Sequence, residues 1–366
     1  MIVSIKERLE ELGLLDREKP LDERLYLAIK DPLVRKVLEF STPQVQDITK
    51  YLPINSGKVY AVRNDLNSGV PNHKKQVTAS LILRGILTRR LSSSKMDTLI
   101  DGGSYNTASS LKYYSDKFEM KGIYMMSSLF TEDILSLLRS DNFSVIQAPH
   151  KQDSPREREF YSYLYEKMKD REFKKDKFCL WHAKYGGQSL YPLGKELAET
   201  VPNDLTHIVS CLGSGTTLEG TQIPIQDHFS EKGIASPKIL ISEHELSPLF
   251  SRKYPHKINV VERMDFGNFE EDSRKFSGIP HDIIGPHFDE INPLLKQASI
   301  NRVNGIIQYS DNDWKSTQKY LASQGLHVGN SSAANINVAT RLAREGNNVL
   351  TVIFEPFREF YRRKDN

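Results

Sequence analysis

The sequence predicts an α/β protein of two lobes, each built around a mainly parallel β-sheet. Its 366 residues exceed what one simple core needs and match two domains of ordinary size. Short apolar runs that favour strands alternate with segments of helical periodicity, an order typical of parallel strands joined by helical crossovers. Polar or glycine-rich turns follow two of these runs, where strands of such sheets lead into helices.

The elements follow one another along the chain. Residues 1–50 have helical periodicity interrupted by Pro20, Pro32 and Pro43, which predicts a helical N-terminal arm. Residues 51–190 are predicted to form the N-terminal α/β lobe, and residues 191–366 the C-terminal α/β lobe. The predicted strands are apolar or β-branched runs: 58–62, 98–100, 122–126, 143–146, 207–210, 238–242 and 349–353.

Composition excludes several classes of function. Fifty basic and 47 acidic residues leave a net charge of +3, so no general electrostatic attraction to nucleic acid is expected. Two cysteines, Cys179 and Cys211, give no disulfide framework and fit a reducing compartment. No apolar run approaches the roughly 18 residues of a membrane span, and charge appears too early for a secretory signal. We therefore expect a cytoplasmic protein without a membrane segment.

The remaining polar patterns do not favour a metal site. The ten histidines form neither His-Glu-x-x-His nor a cluster with cysteine, so no metal is predicted. Glu243-His244-Glu245 could be drawn as a metal or acid/base cluster, but at the end of a predicted strand it favours a surface turn.

A glycine-rich turn is the candidate phosphate site. It comprises Gly213, Ser214, Gly215, Thr216 and Thr217, and it follows the predicted strand 207–210. In such a turn main-chain N–H groups converge on an anion at a helix N-terminus, and the hydroxyl groups add donors. A plain strand-to-helix connection is the alternative. The turn lacks the third glycine of a dinucleotide fingerprint and the Gly-Lys of a Walker loop.

Two adjacent lysines, Lys74 and Lys75, stand at the start of a predicted helix. Isolated lysines are usually surface residues. Neighbouring ammonium groups disfavour each other's protonation, however, and this helps one amine to act as a nucleophile near neutral pH. Either lysine is therefore a candidate nucleophile.

Two further polar segments are candidates for ligand contacts. One is Ser104-Tyr105-Asn106-Thr107, and the other is Gly329-Asn330-Ser331-Ser332-Ala333. Each could instead be an ordinary helix cap, provided by Ser104 or Asn106 in the first segment and by a serine in the second.

In order and spacing, these four segments resemble the fold type II pyridoxal-phosphate enzymes, the superfamily of tryptophan synthase β and cysteine synthase. The resemblance covers roughly residues 40–356. It implies that pyridoxal 5'-phosphate is the cofactor and that it lies in the cleft between the lobes. It also implies that a lysine forms an imine with the cofactor. The apolar helix positions match the family when Lys74 is that lysine and slip by one for Lys75, so Lys74 is favoured.

The resemblance implies a role for each other candidate. Asn106 lies 32 residues after Lys74, close to the family's separation, and would bind the phenolic oxygen of the cofactor. The substrate carboxylate would lie near Ser104, Tyr105 and Thr107, and Ser331 would face the pyridine nitrogen. The phosphate would be bound by the turn of Gly213, Ser214, Gly215, Thr216 and Thr217. Tyr105 stands where the family has glycine, so the substrate cannot be transferred from cysteine synthases.

The implied reaction is β-replacement on an amino acid through an aminoacrylate intermediate. A neutral hydroxyl at the ring nitrogen makes the ring a weaker electron sink, which suits exchange or loss of a β-substituent. β-Elimination to a 2-oxo acid and ammonia is the alternative. A degenerate member that binds a ligand without turnover is another, because the family's Lys-Asp-Arg has become Lys74-Lys75-Gln76. Family members are usually dimers, so a homodimer is expected.

Overall fold

The computed structural model describes residues 1–91, 98–127, 130, 132–149, 159–263, 266 and 292–357. Its contacts divide the chain into two compact units. The first comprises Met1–Thr42 and Ser68–Leu193, and the second comprises Pro43–Asn67 and Gly194–Asn366. The chain therefore passes between the units three times.

The described residues form ten strands and fourteen α-helices. The strands are β1 (Gln44–Asp47), β2 (Lys58–Arg63), β3 (Thr98–Gly102), β4 (Lys121–Met126), β5 (Phe143–Gln147), β6 (Lys177–Cys179), β7 (His207–Cys211), β8 (Lys238–His244), β9 (Val303–Tyr309) and β10 (Asn348–Ile353). The helices are α1 (Ile2–Glu11), α2 (Leu21–Lys30), α3 (Pro32–Leu38), α4 (Lys74–Leu87), α5 (Tyr105–Phe118), α6 (Glu132–Leu138), α7 (Glu159–Lys169), α8 (Arg171–Lys174), α9 (His182–Ala198), α10 (Ile223–Glu231), α11 (Leu249–Lys253), α12 (Gln297–Asn301), α13 (Asp311–Ser323) and α14 (Asn330–Arg344).

The first unit contains a four-stranded sheet in the order β5-β4-β3-β6, and all its pairs are parallel. The three N-terminal helices belong to this unit. Asp31 caps α3, because its Oδ1 accepts hydrogen bonds from the main-chain N–H groups of Leu33 and Val34. Pro32 follows at the first helical position, where its missing N–H is not needed. The helical structure predicted for residues 1–50 is therefore observed as far as Leu38.

The second unit contains a six-stranded sheet in the order β1-β2-β10-β7-β8-β9. Only the β1–β2 pair is antiparallel. β10 lies between β2 and β7, so residues 44–63 join the sheet of the second unit through parallel pairing with β10. Both sheets are mainly parallel, and the predicted α/β class is confirmed. Each predicted strand lies within an observed one, whereas β1, β6 and β9 were not predicted.

The helix α14 is buried over most of its length in the second unit. Its buried residues run from Ser332 to Ala343 and include four alanines, which allow close packing on the sheet. This helix begins at the predicted serine segment, so packing fixes the position of its first turn. Within the described ranges, no helix has both the length and the apolar character that crossing a membrane requires.

Candidate cofactor site

The two adjacent lysines have different environments at the start of α4. The buried Lys75 ammonium donates to Glu39 Oε2 at 2.7 Å, to the Ser68 carbonyl oxygen at 2.6 Å and to Ser68 Oγ at 3.2 Å. These three acceptors match the three hydrogens of an ammonium group. Lys74 is the first residue of α4, and its main-chain N–H donates to Asn72 Oδ1 at 2.8 Å. The side chain of Lys75 is thus engaged inside the first unit.

Glu39 supplies the countercharge for Lys75. Its carboxylate also accepts hydrogen bonds from Lys117 and from the Tyr113 hydroxyl. Burial by itself raises the pKa of Glu39, but hydrogen bonds from two ammonium groups and a phenol lower it to about 2. The sequence prediction considered only the repulsion between the Lys74 and Lys75 ammonium groups. The structure shows that a carboxylate 36 residues earlier in the chain offsets the charge of Lys75.

The polar turn after β3 leads directly into α5. The helix begins at Tyr105, and Ser104 occupies the N-cap position without a side-chain capping bond. The alternative reading of Ser104 as an ordinary hydroxyl cap is therefore not observed. Tyr105, Asn106 and Thr107 are all buried in the first turn of the helix.

Asn106 carries an unsatisfied polar atom. Among the residues that the structure describes, its buried Oδ1 has no hydrogen-bond partner. A buried polar atom without a partner is unfavourable and is uncommon in folded proteins. This atom lies in the residue that the family resemblance assigns to the cofactor's phenolic oxygen, so the turn fits a polar ligand bound from outside the chain.

A histidine that sequence reasoning missed lies beside this turn. His182 Nδ1 is 3.2 Å from Asp101 Oδ2, and its Nε2 is 2.9 Å from the Tyr161 hydroxyl. A Cβ placed on Gly103 would be 2.9 Å from His182 Cε1, so the turn passes closely over the imidazole. Trp181, just before His182, has a left-handed φ of 51°. Asp101, a carboxylate at the end of a buried strand, was the signal in the sequence that could have revealed this group.

The glycine-rich turn lies in the second unit between β7 and a helical segment that begins at Thr216. Ser214 Oγ and Thr216 Oγ1 are 2.9 Å apart. A π-helical turn, Leu218–Gln222, follows and leads into α10. Such turns are rare and frequently occur at functional sites. The strand-turn-helix context expected for a phosphate site is therefore present.

Gly215 is the position in this turn most sensitive to substitution. Its φ is +88°, and an added Cβ would lie 2.6 Å from Leu295 Cδ1. We expect Gly215→Ala to lower the free energy of unfolding by about 1–2 kcal/mol, because L-residues are strained at such φ values, and also to weaken cofactor binding. Thermal unfolding and equilibrium dialysis against pyridoxal phosphate measure the two effects.

Gly346 provides the matched control. Its φ is +87°, and an added Cβ would have nothing within 4 Å. Gly346→Ala should show a similar loss of stability with unchanged cofactor affinity. Equal cofactor affinity of the two variants would argue against a phosphate site at Gly215.

The two serines in the first turn of α14 differ in their hydrogen bonding. Ser332 Oγ accepts a hydrogen bond from the Phe354 N–H at 2.9 Å. Ser331 is half-buried, and within the described part of the chain its side chain forms no hydrogen bond. One turn later, Asn335 Oδ1 accepts from the Cys211 N–H and from Ser242 Oγ, each at 2.7 Å. Asn335 therefore links the helix that carries Ser331 to the end of the strand that leads into the glycine-rich turn.

The expected surface turn at Glu243 is wrong. Glu243 and His244 are buried. The Glu243 carboxylate accepts hydrogen bonds from the N–H groups of Phe250 and Ser251 at the start of α11. Burial raises the pKa of Glu243, although these hydrogen bonds act in the opposite direction. Glu243 is thus a structural cap. In the described ranges, no group of three potential ligands could hold a metal ion.

Comparison with known proteins identifies the class of fold. A cysteine synthase of Helicobacter pylori (strain ATCC 700392 / 26695) is 25% identical over 308 residues, which cover 82% of this chain and 87% of the relative. The structure of an O-acetylserine dependent cystathionine beta-synthase from Helicobacter pylori matches with a TM-score of 0.68 at 22% identity and covers 90% of this chain and 97% of that one. A hydrogen sulfide-producing enzyme from Fusobacterium nucleatum matches with a TM-score of 0.66 at 15% identity, covering 88% and 97%. The fold is that of the fold type II pyridoxal-phosphate enzymes.

Family membership follows from the sequence of residues 42–354, which matches the family described as "Pyridoxal-phosphate dependent enzyme". The chain belongs to this family. It is an enzyme, and pyridoxal phosphate is its cofactor, as the sequence predicted. The assignment of individual residues to the cofactor remains a prediction.

Proposed function

We propose that this enzyme replaces a substituent at the β-carbon of an amino acid, in the manner of a cysteine synthase. The observation that carries the proposal is the Ser331 hydroxyl, which no described residue binds and which lies at the position of the family's serine facing the ring nitrogen. A hydroxyl does not hold that nitrogen protonated, which favours β-carbon chemistry over transamination. The names of the Helicobacter relatives, cysteine synthase and O-acetylserine dependent synthase, support an amino-acid substrate of this kind.

The residues present fit the cofactor. Pyridoxal phosphate, when bound, supplies an aldehyde that condenses with amines and a ring that delocalises negative charge from the substrate's α-carbon. We propose that Lys74 holds the aldehyde carbon and Asn106 the phenolic oxygen. The phosphate would be bound by main-chain N–H groups and hydroxyls of residues 213–217, and the ring nitrogen would face Ser331. The unsatisfied Asn106 Oδ1 and the left-handed Gly215 support this assignment.

Lys74 rather than Lys75 is the proposed nucleophile and base. The Lys75 ammonium already has three acceptors inside the first unit, and the apolar helix positions match the family when Lys74 is the anchor. Once the substrate amine has replaced it, the Lys74 amine would accept the α-proton of the substrate. The N-terminus of α5 offers main-chain N–H groups and a positive dipole end for the substrate carboxylate, with the Ser104 and Thr107 hydroxyls beside it.

β-Elimination is the second candidate function. Tyr105 is buried at the position of the family's glycine, and in the proposed site its bulk would reduce the room for an incoming nucleophile. The similarity to a hydrogen sulfide-producing enzyme fits this alternative. Elimination would give a 2-oxo acid and ammonia from the same amino acid.

We also propose that the enzyme is a cytoplasmic homodimer. The two buried thiols, Cys179 and Cys211, form no disulfide. Several apolar side chains of the N-terminal helices are exposed, including Val3 at 48% and Leu33 at 38%, and a second copy of the chain would cover them. Light scattering of the purified protein tests the dimer, and a mass of one chain would contradict it.

The experiment that tests the function is a spectral titration of the purified holoenzyme. Serine, O-acetylserine, O-phosphoserine, cysteine and threonine are added in turn, and the visible band of the bound cofactor is followed. We expect at least one of them to shift the band, and addition of sulfide should then release a new amino acid. Release of 2-oxo acid and ammonia alone would favour elimination. A band that no amino acid shifts would favour a binding protein without turnover and would overturn the proposal.

A further inference from the structure

The side chain of Asn72 connects the main chain at Lys74 to the main chain at Asn106. Its Oδ1 accepts from the Lys74 N–H at 2.8 Å and from Ser110 Oγ at 3.1 Å. Its Nδ2 donates to the Asn106 carbonyl oxygen at 3.3 Å and to Ser109 Oγ at 3.1 Å. Asn72 therefore bridges the start of α4 and the first turns of α5.

This bridge is buried and uses the whole amide. An asparagine side chain offers two donor hydrogens and two acceptor lone pairs, and the four contacts engage them all. Asn72 is 0% exposed, so water does not compete for these groups. Ser109 Oγ also donates to the Asn106 carbonyl oxygen at 3.1 Å, and Ser110 Oγ shares its single hydrogen between this oxygen, at 2.8 Å, and Asn72 Oδ1. Three side chains thus contact the Asn106 carbonyl oxygen.

The bridge does not involve the side-chain groups that would contact the cofactor. They reach main-chain atoms of Lys74 and Asn106 and use neither the Lys74 ammonium nor the Asn106 amide. A shorter side chain at position 72 could bind one of the two segments but would not span both.

We infer that Asn72 is a positioning residue that sets the separation of Lys74 and Asn106 for cofactor binding. The inference rests on the proposed function, in which these two residues contact two points of one rigid ring. Because the ring is rigid, it cannot compensate for a change in this separation, and a small change weakens both contacts.

The test is Asn72→Ser in the otherwise unchanged chain. Serine keeps a hydroxyl that can accept from the Lys74 N–H, as N-cap residues do, but loses the donor to Asn106. We expect the dissociation constant for pyridoxal phosphate to rise roughly tenfold, the lower end of the effect known for residues that orient metal ligands through hydrogen bonds. Equilibrium dialysis gives the constant, and the position of the visible band reports the environment of the bound cofactor.

Asn337→Ser is the matched control. Asn337 is also 0% exposed, and its Nδ2 donates to the Asp313 carbonyl oxygen and to Thr317 Oγ1, which lie on α13. Both variants should unfold at lower temperature than wild type, but only Asn72→Ser should bind pyridoxal phosphate more weakly. If Asn72→Ser fails to fold, Ser110→Ala removes part of the same network and should shift the dissociation constant in the same direction.

The possible failures can be told apart. If Lys74→Ala loses the visible band while Asn72→Ser and Ser110→Ala bind pyridoxal phosphate as tightly as wild type, the inference is overturned and the proposed function stands. If Lys74→Ala keeps the band, the proposed anchor is wrong, and the role of Asn72 falls with it.

Discussion

Replacing Lys74 with alanine is expected to remove the visible band of the bound cofactor and to lower kcat/KM by about 10²–10⁴-fold, the range for loss of a positioned general base. The physical reason is that alanine has neither an amine to hold the aldehyde carbon nor a base to accept the α-proton. Absorption spectra of the purified variant and steady-state kinetics with the substrate found by titration measure both effects.

Lys75→Ala is the neighbouring control for this experiment. Lys75 donates to Glu39 and to two oxygens of Ser68, so its loss should lower stability and leave the visible band in place. A band that survives Lys74→Ala and disappears in Lys75→Ala would reverse the assignment. A band that survives in both variants would exclude either lysine as the anchor.

Glu39→Gln is expected to lower the free energy of unfolding by about 1.5–3 kcal/mol, because the partly buried carboxylate accepts charge-assisted hydrogen bonds and its loss leaves the buried Lys75 charge uncompensated. The Lys75 side chain is only 1% exposed, and Glu39 is 28% exposed. Glutamine keeps the size of the side chain and one carbonyl acceptor, but it removes the charge and replaces the second acceptor with a donor. Chemical denaturation at neutral pH measures the difference.

The pH dependence gives an independent check of the same ion pair. The pKa of Glu39 is lowered from 4.5 to about 2 in the folded protein, so its stabilising contribution is present above pH 4.5 and is lost as the pH falls toward 2. The stability difference between wild type and Glu39→Gln should shrink across this interval. A difference that stays constant down to pH 2 would contradict the assigned role.

An exposed ion pair in the same unit serves as the control for Glu39. Glu132 pairs with Arg139, and their side chains are 67% and 47% exposed. Solvent screens such pairs, so Glu132→Gln should change stability by about 0–1 kcal/mol. A loss as large as that of Glu39→Gln would mean that burial does not decide the effect.

Local patterns in the sequence predicted much of the fold. Strands such as β4 and β10 are apolar runs bounded by turn signals, and a run of this kind needs no knowledge of its neighbours to be recognised. β9 was missed because Asn304 and Gly305 interrupt its apolar character. The placement of residues 43–67 in the second unit was not predictable either, because it depends on the pairing of β2 with β10.

The candidate site was predicted as motifs but not as a network. Lys74, Asn106 and Ser331 stand out because their spacing resembles a family. The polar partners around these residues are distant in sequence: Glu39 lies 36 residues before Lys75, which adjoins Lys74, and Asp101 lies 81 residues before His182. Periodicity and spacing describe which residues share a surface, but they do not show which buried polar groups satisfy one another.

The central position of β10 has a consequence for how the protein is made. β10 is the partner of β2, yet the paired residues Asn348 and Lys58 are 290 positions apart. During synthesis, β1 and β2 emerge from the ribosome long before β10. Until β10 is made, the edge of β2 that pairs with it is exposed and can pair with other polypeptides. Nascent chains stalled before residue 348 should therefore depend on chaperones more strongly than the finished enzyme does.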